Sequence, residues 1–413
     1  MPGQRRLRGA ALAGALTLCA LLGAGCSTSG RGGPGDASSD ASPRTAASGA
    51  SPVSGPWRSW DTKLSPGEAS GACGATAHQV VCATGSGGLL GRSRTDGRIT
   101  WTVPANDRGK SAGLVVDTAD ERAVTGVAGV LRAADLRTGT SVWTRRVSTG
   151  GAYVALGAGD GVVYAIDVAD PASRTAVLDA VRASDGRALW HRTVAWETGE
   201  GIAAFRGRVY ATDGARVTAR DARTGDTVAV SPRSVACPHL VSGGHYLVCT
   251  GSRLSAGDVF PPMRRLDPGA LRPLPTPRGT VDKPMRGLIS PDGVLMLYEA
   301  GAEDSSAGYW NAYDLESRRK LWGYYDTTDE AALAGGRFVT FTPGNDRARR
   351  GRVIALDLHA GPKGTGVAAP GMSAPYPQTR DGEHPLLVVP EGDARHLVVM
   401  ARTHASLRSL ALP

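Results

Sequence analysis

The stretch Asp135–Trp143, D-L-R-T-G-T-S-V-W, contains the unit that the rest of the chain repeats. An acidic residue ends a strand-like run, Thr138 and Gly139 make a tight turn, and a second strand then carries Trp143. Glycine suits such a turn because it adopts positive φ angles at no steric cost. When the copies of this turn are aligned, the position of Gly139 is occupied by Gly97, Gly139, Gly186, Gly225, Gly269, Arg318 and Gly361.

The spacing of these turns predicts the fold. Successive turns lie 42, 47, 39, 44, 49 and 43 residues apart, with a mean of 44. A period of about 40–50 residues with several short strands per repeat is typical of a β-propeller, whose four-stranded blades cover one another. From Trp57 to the C-terminus there are 357 residues, which suit eight such blades. We predict an all-β, eight-bladed β-propeller over residues 56–413, with seven blades as the alternative.

Two segments depart from the regular repeat. The last one, Leu386–Leu412, lacks a turn and tryptophan of its own, and Trp57–Trp60 is predicted to complete its blade. Pairing the chain ends in one blade would remove free sheet edges. The Pro-rich stretch Phe260–Pro277 is predicted to be an excursion over one face of the propeller.

The repeats resemble those of the quinoprotein-like, or PQQ-binding-like, β-propeller family, in which each blade carries a D-x-x-T-G-x-x-x-W turn. The Asp135 copy matches every position of this pattern, whereas the copy at Asp221 has Ala229 in place of the tryptophan. The resemblance covers residues 57–413 and implies that the repeat tryptophans dock between adjacent blades. The tryptophans in that position are Trp101, Trp143, Trp190 and Trp322.

The resemblance also implies what a quinone-dependent enzyme of this family would need: a disulfide between adjacent cysteines, a calcium site and a catalytic aspartate. No two cysteines are adjacent in this sequence, and no carboxylate–amide cluster resembles the calcium site. We therefore assign no catalytic, cofactor-binding or metal-binding residue. Trp196 and Trp310 lie outside the repeat position and are interpreted as loop-packing aromatics or partner contacts, with stacking on a quinone as the alternative.

The N-terminus has the features of a bacterial lipoprotein signal over residues 1–26. Three arginines within the first eight residues precede the apolar run Ala10–Leu22, which is too short to span a bilayer. Small residues then lead to Cys26, which we predict to be the lipidated N-terminus of the mature chain. An ordinary signal peptide with an incidental cysteine is the alternative. Residues 27–55 are rich in Ser, Gly, Ala and Pro and are predicted to form a disordered tether.

Four cysteines follow the tether. Cys73 and Cys82 flank one predicted hairpin, and Cys237 and Cys249 flank another. Three pairings are possible, and the local one, Cys73 with Cys82 and Cys237 with Cys249, closes the shortest loops. An exported protein keeps such disulfides. Neither pair has the C-x-x-C spacing of a metal site, so no metal is predicted.

Charge narrows the class of partner. The formal net charge is +9, but the basic residues do not cluster with aromatic residues, so we predict no nucleic-acid partner. The favoured function is a non-catalytic lipoprotein on the extracytoplasmic face of the cell membrane that binds a protein or cell-envelope partner. The alternatives are a divergent PQQ-dependent oxidoreductase and a sensor domain of a membrane kinase.

Overall fold

A computed structural model of the chain describes residues 55–69, 72–105, 113–146, 152–168, 174–196, 201–251, 260–280, 282–300, 308–326, 328–342, 350–362, 371–372, 376–377, 386–388, 396–401 and 406–412. The chain divides into units of 1–45 and 46–413, and every described residue belongs to the second unit. The predicted signal of residues 1–26, including Cys26, and nearly all of the tether fall outside the described residues.

The described residues form eight antiparallel sheets, which are the eight predicted blades. The strand β1 (Trp60–Lys63) and the short helix α1 (Pro66–Ala69) precede blade one. Blade one consists of β2 (Cys73–Ala75), β3 (Gln79–Ala83), β4 (Leu89–Ser93) and β5 (Ile99–Val103), and blade two of β6 (Leu114–Asp117), β7 (Arg122–Val127), β8 (Val130–Asp135) and β9 (Ser141–Arg146). Blade three consists of β10 (Ala152–Gly159), β11 (Val162–Val168), β12 (Thr175–Arg182) and β13 (Ala188–Ala195). Blade four consists of β14 (Ile202–Phe205), β15 (Arg208–Thr212), β16 (Val217–Asp221) and β17 (Thr227–Val230).

The remaining blades have the same order, and blade seven carries one extra strand. Blade five consists of β18 (His239–Gly243), β19 (Tyr246–Thr250), β20 (Arg264–Leu266) and β21 (Pro273–Leu274), and blade six of β22 (Pro284–Ile289), β23 (Val294–Ala300), β24 (Gly308–Asp314) and β25 (Arg319–Asp326). Blade seven consists of β26 (Ala331–Ala334), β27 (Arg337–Thr342), β28 (Arg350–Asp357) and β29 (Gly371–Met372), and its extra strand is β30 (Tyr376–Pro377). Blade eight consists of β31 (Leu386–Val388), β32 (His396–Ala401), β33 (Ser406–Ala411) and β1.

The blades form a closed ring. The first strands of successive blades contact each other from β2 to β22, and β31 contacts both β26 and β2. Because the strands of each blade alternate in direction, the turns between first and second and between third and fourth strands share one face of the ring. We call this the turn face. The opposite face, with the second–third turns and the connections between blades, is the loop face.

An N-terminal strand closes the ring as predicted, but it is Trp60–Lys63 and shares only Trp60 with the predicted stretch Trp57–Trp60. Strand β1 pairs antiparallel with β33, with Trp60 opposite Ser409 and Lys63 opposite Ser406, and so becomes the fourth strand of blade eight. The closure is reinforced by a buried ion pair: Arg92 donates from Nη2 to both carboxylate oxygens of Glu68 at 2.7 Å. Both side chains are almost fully buried, so each charge relies on the other.

The hydrophobic core lies between blades. Central strands such as β3, β11 and β19 are buried on both faces, which explains their near-continuous apolar sequences. A typical cluster joins Val124 and Trp143 of blade two to Val163 and Val181 of blade three. Each interface between neighbouring blades is called a seam below.

Two sequence predictions about blade five were wrong. The turn residue with positive φ is Leu271, with φ 54°, rather than Gly269. The backbone N–H of Leu271 donates to Asp267 O, as that of Gly139 does to Asp135 O, so the repeat is shifted by two residues there. The stretch Phe260–Pro277 is not an excursion, because it contains the blade's third and fourth strands. Their shortness and prolines concealed them in the sequence.

Candidate functional site

Five tryptophans join neighbouring blades in one geometry. Each indole N–H donates to a backbone carbonyl of the next blade, and each ring lies over the glycine three residues beyond that carbonyl. For Trp143, Nε1 lies 2.8 Å from Ala183 O. A Cβ on Gly186 would lie 2.6 Å from the indole Cδ2. The full set of pairs is Trp60–Arg94 O, Trp101–Leu136 O, Trp143–Ala183 O, Trp190–Ala222 O and Trp322–Leu358 O.

The four tryptophans named from the repeat, Trp101, Trp143, Trp190 and Trp322, therefore lie at seams. Trp60 occupies the same position over Gly97, with Nε1 3.0 Å from Arg94 O. The repeat pattern does not identify Trp60, because no turn precedes it in the sequence. The strand before it in its blade, β33, lies at the other end of the chain. Its spacing from Gly97, 37 residues, is the signal that could have found it, since Trp101 precedes Gly139 by 38.

Two seams around blade five have no tryptophan. Where the repeat has Ala229 in blade four, the next blade has Leu271, which is fully buried in the same cluster. The corresponding carbonyl, Pro268 O, accepts a hydrogen bond from the Tyr210 hydroxyl at 3.1 Å. At the following seam, Leu315 O accepts one from Arg265 Nη1. The buried carbonyl thus has a partner at each of these seams, as backbone polar groups require.

The structure contains both local disulfides. Cys73 and Cys82 are bonded across the paired strands β2 and β3. Cys237 and Cys249 are bonded in blade five, with a sequence separation of 12 residues. Each closes a hairpin on the inner side of its blade.

The two off-repeat tryptophans are part of the packing. Trp310 is not in a loop but on β24, is 1% exposed, and donates from Nε1 to Thr328 O at 3.1 Å. Its ring packs against Tyr298 of the same blade and, across the seam, against Phe338 of blade seven. Trp196 directly follows β13, where its backbone N–H donates to Arg174 O and its side chain packs on the blade-three core.

One serine, aspartate and histidine come together on the turn face. His359 Nε2 lies 2.8 Å from Asp292 Oδ2, and the Ser290 hydroxyl donates to the other carboxylate oxygen. A nucleophilic serine must instead bond to the histidine that takes its proton. These bonds, Ser290 first and His359 second, lower the pKa of Asp292. The group therefore fits a turn that links blades six and seven.

Two carboxylates are buried in the seam between blades two and three. Asp167 and Asp179 are 1% and 6% exposed, on the side of blade three that faces blade two. Burial and, next, the charge of Asp167 raise the pKa of Asp179 to about 7, against a smaller opposing effect of Arg145. Asp179 can therefore gain or lose a proton near neutral pH.

The resemblance to quinoproteins implies a quinone held with calcium beside a disulfide between adjacent cysteines. All four described cysteines are used in the two hairpin disulfides. In the described ranges, no three His, Cys, Asp or Glu side chains converge in a way that could hold a metal ion. No described helix has the length and apolar character needed to cross a membrane.

Blade six exposes an aromatic surface near the loop face. Glu299, Tyr309 and Tyr325 stand side by side on β23, β24 and β25, because Glu299 pairs with Tyr309 and Tyr309 with Tyr325. We call these three residues the tyrosine row. The two tyrosines are 50% and 57% exposed, and Met285 of the same blade is 40% exposed. Large exposed aromatic side chains of this kind are enriched at binding interfaces.

Comparison with known proteins agrees with this architecture. The family described as outer membrane protein assembly factor BamB matches residues 57–195, which span the closing strand and the first three blades. Among solved structures, BamB from Moraxella catarrhalis is 16% identical with a TM-score of 0.53, covering 85% of this chain and 98% of that chain. The chain is a PQQ-like β-propeller repeat protein.

Other structures similar to the PQQ-like propeller have different origins. The computationally designed Ika8 protein is 14% identical with a TM-score of 0.60, covering 84% of this chain and 98% of its own. Quinohemoprotein alcohol dehydrogenase ADHIIG from Pseudomonas putida HK5 is 13% identical with a TM-score of 0.52, covering 86% and 76%. Identities this low show the shared fold alone, since one fold serves many functions. No curated protein matches the chain.

Proposed function

We propose that this PQQ-like propeller is a non-catalytic lipoprotein, anchored at the extracytoplasmic face of the membrane, that binds a protein or cell-envelope partner. The observation that carries the binding function is the tyrosine row, which places two large aromatic side chains in solvent on a rigid sheet. The anchor and the tether rest on the sequence of residues 1–55. The similarity to an outer membrane assembly factor is consistent with a place in the cell envelope.

The binding function is tested by photo-crosslinking in intact cells. A photoreactive amino acid at position 325 should give a discrete covalent adduct with a partner. The matched control carries the same amino acid at position 142, since Val142 is 37% exposed on the outer strand of blade two. If position 325 gave no adduct, or the same adducts as position 142, the tyrosine row would not be the binding surface.

The anchor is tested separately by Cys26→Ala. Loss of the acceptor thiol should release the protein into the medium or leave it unprocessed. Two acyl chains hold a protein firmly, whereas one holds it only marginally. A Cys26→Ala protein that was processed and still sedimented with membranes would contradict lipidation at this residue.

The alternative, a divergent PQQ-dependent oxidoreductase, is favoured by the D-x-x-T-G repeats alone. Incubation of the purified full-length protein with PQQ and calcium separates the two functions. A binding lipoprotein should give no shift in quinone absorbance and no dye reduction, whereas an oxidoreductase should give both.

A further inference from the structure

The tyrosine row is uncovered because blade five is shorter than blade six at its outer side. The third and fourth strands of blade five have three and two residues, whereas β24 and β25 have seven and eight. Blade five reaches Leu295, Leu297 and Tyr313 of blade six. Tyr309 and Tyr325 face the same way, beyond the end of its outer strands. Among the described residues, the strands of blade five therefore leave this part of the blade-six sheet face uncovered.

The loop-face end of blade six is acidic in a chain whose formal net charge is +9. Among the described residues, five carboxylates lie in its strand ends and connections, against the cations of Lys283 and Arg286. Arg286 is already paired, at 2.9 Å from Asp329 and 3.2 Å from Glu330. The five carboxylates are Asp282, Glu299, Asp326, Asp329 and Glu330.

Two tyrosines on the opposite face of blade six, toward blade seven, have raised pKa values, and carboxylates of the loop-face end contribute to both. Burial, followed by the charges of Asp329 and Asp326, raises the pKa of Tyr298 to about 12. Burial and the charge of Asp326 raise the pKa of Tyr324 to about 12 as well. A negative surface lowers the free energy of a positive ligand and speeds its encounter.

The arrangement of the two tyrosine rings favours binding of a cation over stacking of a flat aromatic ligand. The rings of Tyr309 and Tyr325 meet edge to face, with centroids 5.2 Å apart and planes at 67°. They form no continuous platform, but each ring face attracts a guanidinium or ammonium group. Glu299 stands directly beside Tyr309 as a counter-charge. Lys320 lies next to the tyrosine row on its turn-face side. Its Nζ would be 3.8 Å from a Cβ placed on the exposed Gly323.

We propose that the tyrosine row binds an arginine- or lysine-bearing segment of a partner protein, which approaches from the loop face. In this arrangement a cationic side chain lies against the tyrosine rings and pairs with Glu299. The acidic connections of blade six attract the rest of the segment. This inference rests on the proposed binding function and gives the partner's chemistry.

The test uses the purified full-length protein in detergent and three fluorescent probes. The probes are a decapeptide of alternating Arg and Gly, the same peptide with Glu for Arg, and an N-acetylglucosamine tetramer. The Arg peptide should bind, and its affinity should fall with added salt. Tyr309→Ala and Tyr325→Ala should each weaken binding about tenfold or more, and Glu299→Gln about threefold. Val142→Ala is the matched control and should bind as wild type.

Each other outcome overturns the inference. Equal binding of the Arg and Glu peptides, preferential binding of the sugar tetramer, no binding of any probe, or unchanged binding by Tyr325→Ala would each exclude a basic segment at the row. Thermal unfolding of each variant checks that the fold is intact. An adduct at position 325 in cells together with a failed peptide test would leave the binding function standing and remove only the partner's chemistry.

Discussion

The seam between blades two and three and the seam between blades four and five meet the same requirements with different side chains. In the first, Trp143 fills the space over Gly186 and donates to Ala183 O. In the second, Leu271 fills that space from the opposite blade, and Tyr210 donates to Pro268 O. A seam therefore requires a filled volume and a partner for one buried carbonyl, and a tryptophan is one way to supply both.

The largest expected difference between the two seams comes from removing their hydrogen-bond donors. Trp143→Ala should lower the free energy of unfolding by about 3–5 kcal/mol, because it leaves a cavity and an unpaired carbonyl. Tyr210→Phe should cost about 1 kcal/mol or less, because Arg208 Nη1 also donates to Pro268 O, at 3.1 Å.

Urea unfolding of both variants measures this difference, with Val142→Ala as the surface control. Equal losses for Trp143→Ala and Tyr210→Phe would mean that the tryptophan has no special weight at its seam.

The stability contributed by the seam between blades two and three, which contains Trp143, should also depend on pH. The folded chain holds the proton of Asp179 up to its pKa of about 7, whereas the unfolded chain loses it near the ordinary aspartate pKa of 3.8. The free energy of unfolding should therefore fall by ~3 kcal/mol between pH 5 and pH 8 through this group. Asp179→Asn should remove that decline, as measured by urea unfolding at several pH values.

The control for this pH effect is Asp185→Asn in the same blade. The backbone N–H of Arg187 contributes most to lowering the pKa of Asp185. Asp185 is thus ionised in both states above pH 5, and the variant should keep the wild-type slope. A wild-type slope in Asp179→Asn would show that another group carries the pH dependence.

A residue swap tests whether the two kinds of seam are interchangeable. Ala229→Trp should overpack against Leu271, and Leu271→Gly should leave a cavity. Together they recreate the tryptophan–glycine pair, so the double variant should be more stable than the sum of the single effects by ~2 kcal/mol. Strict additivity in a double-mutant cycle would contradict the shared volume.

The smallest expected effect is a gain at the seam between blades five and six. Arg318 has φ 59°, and the tryptophan position that would face it in blade five is Pro275, from the spacing of the repeat. Arg318→Gly should relieve the backbone and raise the free energy of unfolding by ~0.5 kcal/mol.

Gly186→Ala is the matched variant under Trp143, and it should instead destabilise by ~2 kcal/mol, since its Cβ meets the indole. Melting temperatures of the two variants should move in opposite directions. Shifts of the same sign would break the comparison between the seams.

The repeat predicted most of the fold because Trp143 and its equivalents use the same residues for the same contact. Blade count, ring closure by the N-terminal strand and the disulfide partners followed from spacing. Blade five was not predicted correctly because the large side chain of Leu271 replaces a glycine while the small Ala229 of blade four replaces a tryptophan. This compensation involves two blades, so the sequence of one repeat does not show it. The tyrosine row was also hidden, because its exposure depends on how far a different blade extends.

The site residues show the same limit. Trp310 was interpreted as a loop residue because it does not fall on the repeat, yet it is among the most buried side chains in the described part of the chain. Its neighbours Tyr298 and Phe338 are separated from it by 12 and 28 residues, and local pattern contains no information on such contacts.

Strand β1 has a consequence for biosynthesis. It pairs with β33, which is made some 340 residues later, so the ring stays open until β33 has been synthesised. A truncated chain that lacks β33 would leave β1 without its partner and blade eight without its third and fourth strands. Chains that terminate before β33 should therefore be cleaved readily by proteases, and only chains that include β33 should become resistant.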